Sequence, residues 1–520
     1  MKDARAEVST FADSRVLILK QGEPQACSLV VFGITGDLAR RKLVPAIYNL
    51  ARDAALPEPF PVIGVGRAEQ SPDQLRDLLR KSVEEFSRTQ PVDRGTWDHV
   101  AASIDYVHGD FSGPDLYEQL RSRIEEVGAQ HGIDGRTLFY CATPAGLFPT
   151  ILDGLEKARL LRPVTGEKGS LWPRVLVEKP FGRDLASSVE LNDRVARVLD
   201  ESQTFRVDHY LGKETVQNIL VFRFGNAIFE PIWNQKYIDH VQITAAETLG
   251  IGRRGHFYDE TGVIRDVIQN HLLQVLALCA MEPPTSFDAD AIRDEKTKVF
   301  RSLRRIVGED VTRRVVFGQY EGYREEENVD PDSRTPTYAA LEVMIDNWRW
   351  QGVPFYVRAG KRLCEKVTEV AIHFKPIPFC LFGGQDTCPL VPRNVLVLRI
   401  DPDEGIALDI TTKLPADDLW VGGVEMSFSY ERAFEQSPRG AYERLLLDCM
   451  RGDQMLFARR DGIELEWEFV TPIVEAWENG SEPVLVYKPG SPGPDEAGRL
   501  TGRHGCHWKG FRDAARTRSD

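Results

Sequence analysis

The chain has 520 residues, of which 42% are hydrophobic and 28% charged, and a formal net charge of −14. That length exceeds what one hydrophobic core accommodates and predicts two domains, while the ordinary composition excludes a disordered or fibrous chain. The negative balance excludes a general nucleic-acid binder, which needs clustered excess Lys and Arg, and no apolar run reaches the ~18 residues that span a bilayer.

Residues 1–26 carry no clear signal-peptide core and read as a flexible tail on a cytoplasmic protein. From 27 to 210, short β-branched and aromatic runs (28–34, 61–66, 105–110, 136–143, 173–179, 204–210) alternate with helical patterns such as 73–86 and 115–127. This is the rhythm of βαβ units and predicts a doubly wound, Rossmann-like α/β domain with a parallel sheet. From 211 to 500 the rhythm changes: a helix at 213–223, a strand at 237–245, a long helix at 259–281, then strand-like runs at 339–346, 354–360, 367–374, 395–400 and 405–413. These predict an α+β domain around a large, mainly antiparallel sheet, followed by an irregular tail at 501–520.

The eight cysteines (Cys27, Cys141, Cys279, Cys364, Cys380, Cys388, Cys449 and Cys506) are dispersed, with no C-x-x-C pair. They lack the ligand spacing of a zinc centre, and no metal site is expected. Cys380 and Cys388, in a Gly-rich loop, are a minor alternative as a redox pair.

Gly33-Ile34-Thr35-Gly36-Asp37-Leu38-Ala39-Arg40 follows the first strand and opens a helix. Glycines at such a turn let the backbone approach a pyrophosphate, whose charge suits the helix N-terminus. The spacing is G-x-x-G, and alone it serves a purely structural turn equally well. Its position after the first strand of a doubly wound sheet favours a dinucleotide. Arg67, at the end of the second strand, suits the 2′-phosphate of NADP, with a solvated surface arginine as the alternative.

Lys179 stands where an apolar strand stops before Pro180, and Arg206-Val207-Asp208-His209-Tyr210-Leu211-Gly212-Lys213 ends another strand. His209, Tyr210 and Lys213 offer donors to phosphate oxygens, whereas Asp208 is an acceptor and needs a different partner. On the long helix, Asp266, Asn270 and His271 lie beside an apolar stripe of Val263, Ile264, Val267, Ile268, Leu272 and Val275. Considered alone, His271 reads as a satisfied core histidine. With an unassigned Asp208 and a phosphate cluster in the same chain, it reads instead as a general base whose imidazolium a carboxylate steadies, the requirement for oxidising an alcohol. Glu247 and Asp266 remain as acceptors for sugar hydroxyls.

The segments GITGDLARRK, VEKPFGRD, RVDHYLGKETVQNILVFRFGN, DETGVIRDVIQNHLLQVLALCAMEPP, RDEKTKV, FYVRAGKRL and YKPGSPGP closely resemble the glucose-6-phosphate dehydrogenase family over residues 28 to 495. The resemblance implies oxidation of D-glucose 6-phosphate at C1 by NADP⁺, with His271 as base and Asp208 supporting it. It implies that His209, Tyr210 and Lys213 hold the 6-phosphate, that Glu247, Asp266 and Lys361 contact the sugar, and that Lys366 is a further substrate-binding residue. Lys179 would lie between sugar and nicotinamide, residues 33–40, Arg67 and Asp110 would bind the cofactor, and the chain would form a homodimer or homotetramer.

Three positions depart from the family pattern: Pro144-Ala145 in place of two prolines, Lys366 in place of an arginine, and Asp401 where glutamine is common. A carboxylate pointing at a dianionic substrate is unfavourable, so Asp401 is left out of the expected site. Two other readings remain open: a non-catalytic sugar-phosphate sensor, and a dehydrogenase of an unphosphorylated or differently phosphorylated hexose. Strict NADP against dual NADP/NAD use stays open too.

Overall fold

A computed structural model of the chain describes residues 6–11, 14–19, 22–133, 135–165, 171–379, 381, 391–430, 433, 439–480 and 484–511. The chain divides into two units, each assembled from three stretches: Met1–Lys179, Leu191–His209 and Arg439–Ala458 in the first, and Pro180–Glu190, Tyr210–Pro438 and Arg459–Asp520 in the second. Two short stretches thus depart from the division expected at 210: residues 180–190 join the second unit and 439–458 return to the first.

In the first unit, β1 (Ser28–Phe32), β2 (Val62–Gly66), β3 (Ile104–His108), β4 (Thr137–Cys141), β5 (Arg174–Glu178) and β6 (Thr204–Val207) run parallel. Their spatial order is 3-2-1-4-5-6, with the short strand Phe457–Ala458 antiparallel on the outer edge of β6. β1, β2 and β4 are buried along their whole length, which is why they read as unbroken apolar runs and not as alternating ones. The order reverses between β1 and β4, and a doubly wound sheet opens its ligand crevice at that point. The stretch 439–458 belongs here because buried Arg174 donates to the carbonyls of Cys449 (2.6 Å) and Met450 (2.9 Å), while Glu443 accepts from Asn49 and Arg88.

The second unit holds a nine-stranded mixed sheet: β7 (Ile238–Ala246), β8 (Val315–Tyr320), β9 (Tyr338–Met344), β10 (Pro354–Gly360), β11 (Val367–Phe374), β12 (Val395–Asp401), β13 (Gly405–Leu414), β14 (Trp420–Ser429) and β15 (Leu485–Tyr487). Their order is 14-13-12-11-7-10-9-8-15; β7 with β10 and β8 with β15 are parallel, and every other pairing is antiparallel. Burial is complete in β8, β9 and β10 and falls away toward β14, where Trp420 and Met426 are exposed.

One expectation needs correction. Ala6–Phe11 and Ser14–Leu19 pair as an antiparallel hairpin, in place of a loose tail. The C-terminal segment is irregular yet packed through residue 511: Cys506 and Phe511 are buried, and the Arg358 guanidinium lies 4.5 Å from the Trp508 ring and 4.6 Å from the Phe511 ring. Aromatic side chains in a Gly-rich segment bury apolar area whether or not the backbone is regular.

Candidate functional site

At the switch point of the first unit, Gly33 turns the chain out of β1 with φ +82°. A Cβ on Gly33 would lie 2.8 Å from the Ala142 carbonyl oxygen, so this position demands glycine, and one on Gly36 would crowd the Gly33 carbonyl oxygen at 3.0 Å. Ile34 is buried over Gly64 of β2, and Ala39 is buried at the start of the helical stretch 39–52. Thr35, Gly36 and Leu38 are half-buried, Asp37 is exposed near Arg41, and the Arg40 Nε donates to Ser82. This is a backbone cradle of the shape a pyrophosphate requires, and the residues fit a dinucleotide. Arg67 is exposed beyond the end of β2, and its carbonyl meets the His108 ring at 3.2 Å. Asp110 accepts from the backbone N–H and hydroxyl of Ser112, which lowers its pKa and shapes the turn after β3. Ala145 of the departing Pro144-Ala145 pair opens a single 3₁₀ turn, Ala145–Leu147. Gly33→Ala is predicted to weaken dinucleotide affinity by about ten-fold in an NADPH titration, because a side chain at this φ costs about 1–3 kcal/mol and relieving it displaces the turn.

Val207 of β6 pairs with Glu178 of β5, so Lys179 and Asp208, one residue beyond each, stand side by side in register at the carboxyl edge of the sheet. Asp208 is buried, and the His209 ring stacks parallel to Tyr442 with centroids 6.5 Å apart. Tyr140 donates to Glu178 Oε1 at 2.5 Å, and burial pushes the Glu178 carboxyl up to about 7 despite that bond and the nearby Lys179. Tyr140 and Tyr442 went unnoticed in the sequence; neither sits in a motif, and only the fold brings them to Glu178.

In the second unit the long helix is not uniform. Gly255–Val263 is interrupted at Gly262 (φ +62°, ψ +173°), Ile264–Leu272 is wound as a π-helix, and Leu273–Ala280 resumes the α form. The wide turns carry Asp266, Asn270 and His271, and such turns recur at functional sites because they re-aim side chains. Asn270 braces the turn: its amide donates to the Arg265 carbonyl (3.0 Å), and its oxygen accepts from the His271 N–H (2.6 Å). The His271 ring is buried and stacks on Tyr210, with centroids 4.2 Å apart and planes 12° from parallel.

Ala246 of β7 pairs with Gly360 of the parallel strand β10, so Glu247 and Lys361 emerge together at the same sheet edge. The buried Lys361 Nζ bonds both oxygens of Glu247 at 3.0 Å and lies 4.0 Å from Asp266 Oδ2. Glu247, Asp266 and Lys361 thus form one charged cluster, with Lys361 held between two carboxylates.

The expectation that Asp401 lies outside the site is corrected. Its Oδ1 is 3.7 Å from Lys213 Nζ and its Oδ2 is 2.8 Å from Lys366 Nζ. Two ammonium groups attract the carboxylate and offset its repulsion by a substrate phosphate. Burial lowers the Lys213 pKa, and Asp401 partly offsets this; Lys213 also lies 4.8 Å from the centre of the Tyr210 ring.

A second cluster gathers Asp239, His240 and Cys506, with His240 Nδ1 2.8 Å from Asp239 Oδ2 and 3.4 Å from Cys506 Sγ. Its tautomer argues against a metal. Gln242 Oε1 accepts from the Lys509 N–H and its Nε2 donates to the His507 carbonyl, which fixes the amide; Nε2 then faces His240 Nε2 at 3.0 Å as a donor. That leaves the proton on Nδ1, directed at Asp239, and no lone pair there for an ion. His373 stacks on His240 at 4.2 Å and is pushed down to about 3 by burial first and then by His240. A depressed histidine pKa destabilises the fold as pH falls through the unfolded value of about 6.5, since the unfolded chain then binds a proton the native one refuses. Chemical denaturation should therefore show stability falling about 1.4 kcal/mol per pH unit more steeply below pH 6 than in His373→Phe, which keeps the stack without the titration. The minor alternative of a Cys380–Cys388 redox pair lies outside the described residues. Cys27, Cys141 and Cys279 are buried free thiols, each pushed up to about 12 by burial.

The chain matches two family models: glucose-6-phosphate dehydrogenase, NAD binding domain, over residues 30–218, and glucose-6-phosphate dehydrogenase, C-terminal domain, over 220–509. It is 44% identical over 496 residues to a glucose-6-phosphate 1-dehydrogenase of Chlamydia pneumoniae, covering 93% of this chain and 96% of that one. Glucose-6-phosphate 1-dehydrogenase 2 of Mycobacterium tuberculosis is 43% identical over 493 residues, with coverage of 93% and 94%. Among solved structures, the Mycobacterium avium glucose-6-phosphate 1-dehydrogenase superposes with a TM-score of 0.80 at 40% identity, covering 94% of this chain and 99% of that chain. A glucose-6-phosphate dehydrogenase in complex with its substrate glucose-6-phosphate gives 0.84 at 34% identity, covering 94% and 100%.

Proposed function

The chain belongs to the glucose-6-phosphate dehydrogenase family, and from that premise we propose the roles of its residues in oxidising D-glucose 6-phosphate at C1 to 6-phospho-D-glucono-1,5-lactone with NADP⁺. The observation that carries the assignment is the buried His271, held on a π-helical turn by Asn270 and stacked on Tyr210, in the same unit as the Lys361–Glu247–Asp266 cluster.

His271 accepts the proton of the C1 hydroxyl as the hydride leaves C1. Asp208 steadies the imidazolium that forms, as a carboxylate does in general-base dyads. Bound NADP⁺ supplies the nicotinamide that accepts the hydride. The glycine turn 33–40 cradles its pyrophosphate, Arg67 favours the 2′-phosphate and Asp110 shapes the adjoining loop. His209, Tyr210, Lys213 and Lys366 bind the 6-phosphate end, Glu247, Asp266 and Lys361 orient the ring hydroxyls, and Lys179 stands between sugar and nicotinamide. Stacking on Tyr210 fixes the His271 ring plane, so the proton transfer needs no reorientation of the base.

The chain works as the first oxidative step of the pentose phosphate pathway. Among the described residues no helix is long and apolar enough to cross a membrane, and the assigned location is the cytoplasm. Exposed Trp420, Val424, Met426 and Phe428 on β14 form an apolar sheet edge that suits a homodimer or homotetramer. Initial rates with glucose 6-phosphate and glucose, each with NADP⁺ and NAD⁺, test the assignment: absorbance at the NADPH band should rise fastest with glucose 6-phosphate and NADP⁺. Absence of reduction with that pair contradicts it.

A further inference from the structure

We propose that Asp401 is a specificity-determining residue whose carboxylate occupies Lys213 and Lys366 and competes for them with the phosphate of the substrate. The inference rests on the assignment of those two lysines to the phosphate made above.

Asp401 is fixed from both sides. It closes β12 opposite Thr368 of β11, whose hydroxyl lies 3.4 Å from the Tyr210 hydroxyl. The preceding residue, Ile400, accepts at its carbonyl from Thr215 Oγ1 at 3.2 Å, which ties β12 to the helix Glu214–Gly225 that follows Lys213. From this position one carboxylate oxygen reaches each lysine, at 3.7 Å and 2.8 Å. Tyr210, Thr368, Lys213 and Lys366 together present the hydroxyl and ammonium donors a phosphate monoester requires, and Asp401 lies among them as the acceptor.

A second carboxylate shares the neighbourhood. Glu404 is attracted to Lys213 and repelled by Asp401 and Glu214, and its Oε2 is buried without a hydrogen-bond partner. The two ammonium groups are therefore already faced by carboxylates that offset their charge. A dianion entering a doubly positive seat gains the attraction of both lysines. Here each lysine already has a partner, so the gain is reduced by what Asp401 gives up and by repulsion between Asp401 and the phosphate. An unphosphorylated sugar meets neither penalty. Asp401 thus lowers the discrimination in favour of the phosphorylated sugar.

The test is steady-state kinetics of Asp401→Asn on the full chain, with glucose 6-phosphate and with glucose, and with inorganic phosphate as a competitive inhibitor. Asp401→Asn keeps the size and polarity of the side chain and removes its charge; Asp401→Gln repeats the charge change with a longer reach. The expected result is a fall of about ten-fold in KM for glucose 6-phosphate and a parallel fall in the inhibition constant of phosphate, with kcat and the KM for glucose moving far less. Unchanged or raised values of both constants in the two variants overturn the proposal. Lys213→Ala separates the two readings. If it leaves phosphate inhibition unaltered, the phosphate assignment itself fails; if it weakens inhibition while Asp401→Asn does not strengthen it, the seat stands and the role of Asp401 is wrong.

Discussion

Replacing His271 by Asn lowers kcat by about 10²–10⁴-fold while glucose 6-phosphate still binds, because the contribution of a positioned general base is confined to the transition state. The surroundings make the loss specific. His271 is buried on a turn that Asn270 holds from both sides, and its ring lies flat on Tyr210. An asparagine there keeps a polar side chain of smaller size on the same backbone, so the fold and the phosphate-binding residues are retained. What disappears is the imidazole nitrogen that takes the C1 hydroxyl proton. The measurement is kcat by NADPH absorbance alongside the dissociation constant for glucose 6-phosphate by calorimetry. A loss that falls on binding with kcat preserved places His271 among the structural histidines.

Lys213→Ala gives the second large effect, and it falls on KM. Hydrogen bonds to charged groups contribute about 1.5–3 kcal/mol each, so losing the Lys213 ammonium raises KM for glucose 6-phosphate about ten- to hundred-fold. Activity toward unphosphorylated glucose, which carries no charge for Lys213 to hold, should change little. The contrast matters because Lys213 is partly shielded from water and already faces Asp401. If glucose and glucose 6-phosphate lose efficiency equally, Lys213 supports the fold of this region and does not recognise phosphate.

Much of this organisation is legible in the sequence, and the reasons differ from residue to residue. The parallel sheet announces itself because strands covered on both faces read as unbroken apolar runs, as 28–32 and 137–141 do. Lys179 and Asp208 follow directly, since each is the first residue past the end of a strand. Lys361 came only from the family resemblance; the parallel pairing of β7 with β10 that aligns it with Glu247 is a long-range fact that strand patterns do not encode. The π-helical winding at 264–272 was illegible because it keeps the same buried stripe as an α-helix over so short a stretch. The return of 439–458 to the first unit was equally hidden, for an amphipathic helix shows that it packs, not on which core. Asp401 was misplaced because a single repulsion was weighed without the two lysines that attract it.

The central claim is that this chain moves a hydride from C1 of glucose 6-phosphate to NADP⁺, and substrate deuterated at C1 tests it most directly. The account predicts that the deuterium appears on the nicotinamide ring of the reduced cofactor, at the full level of the labelled substrate. Reduced cofactor carrying no deuterium contradicts it.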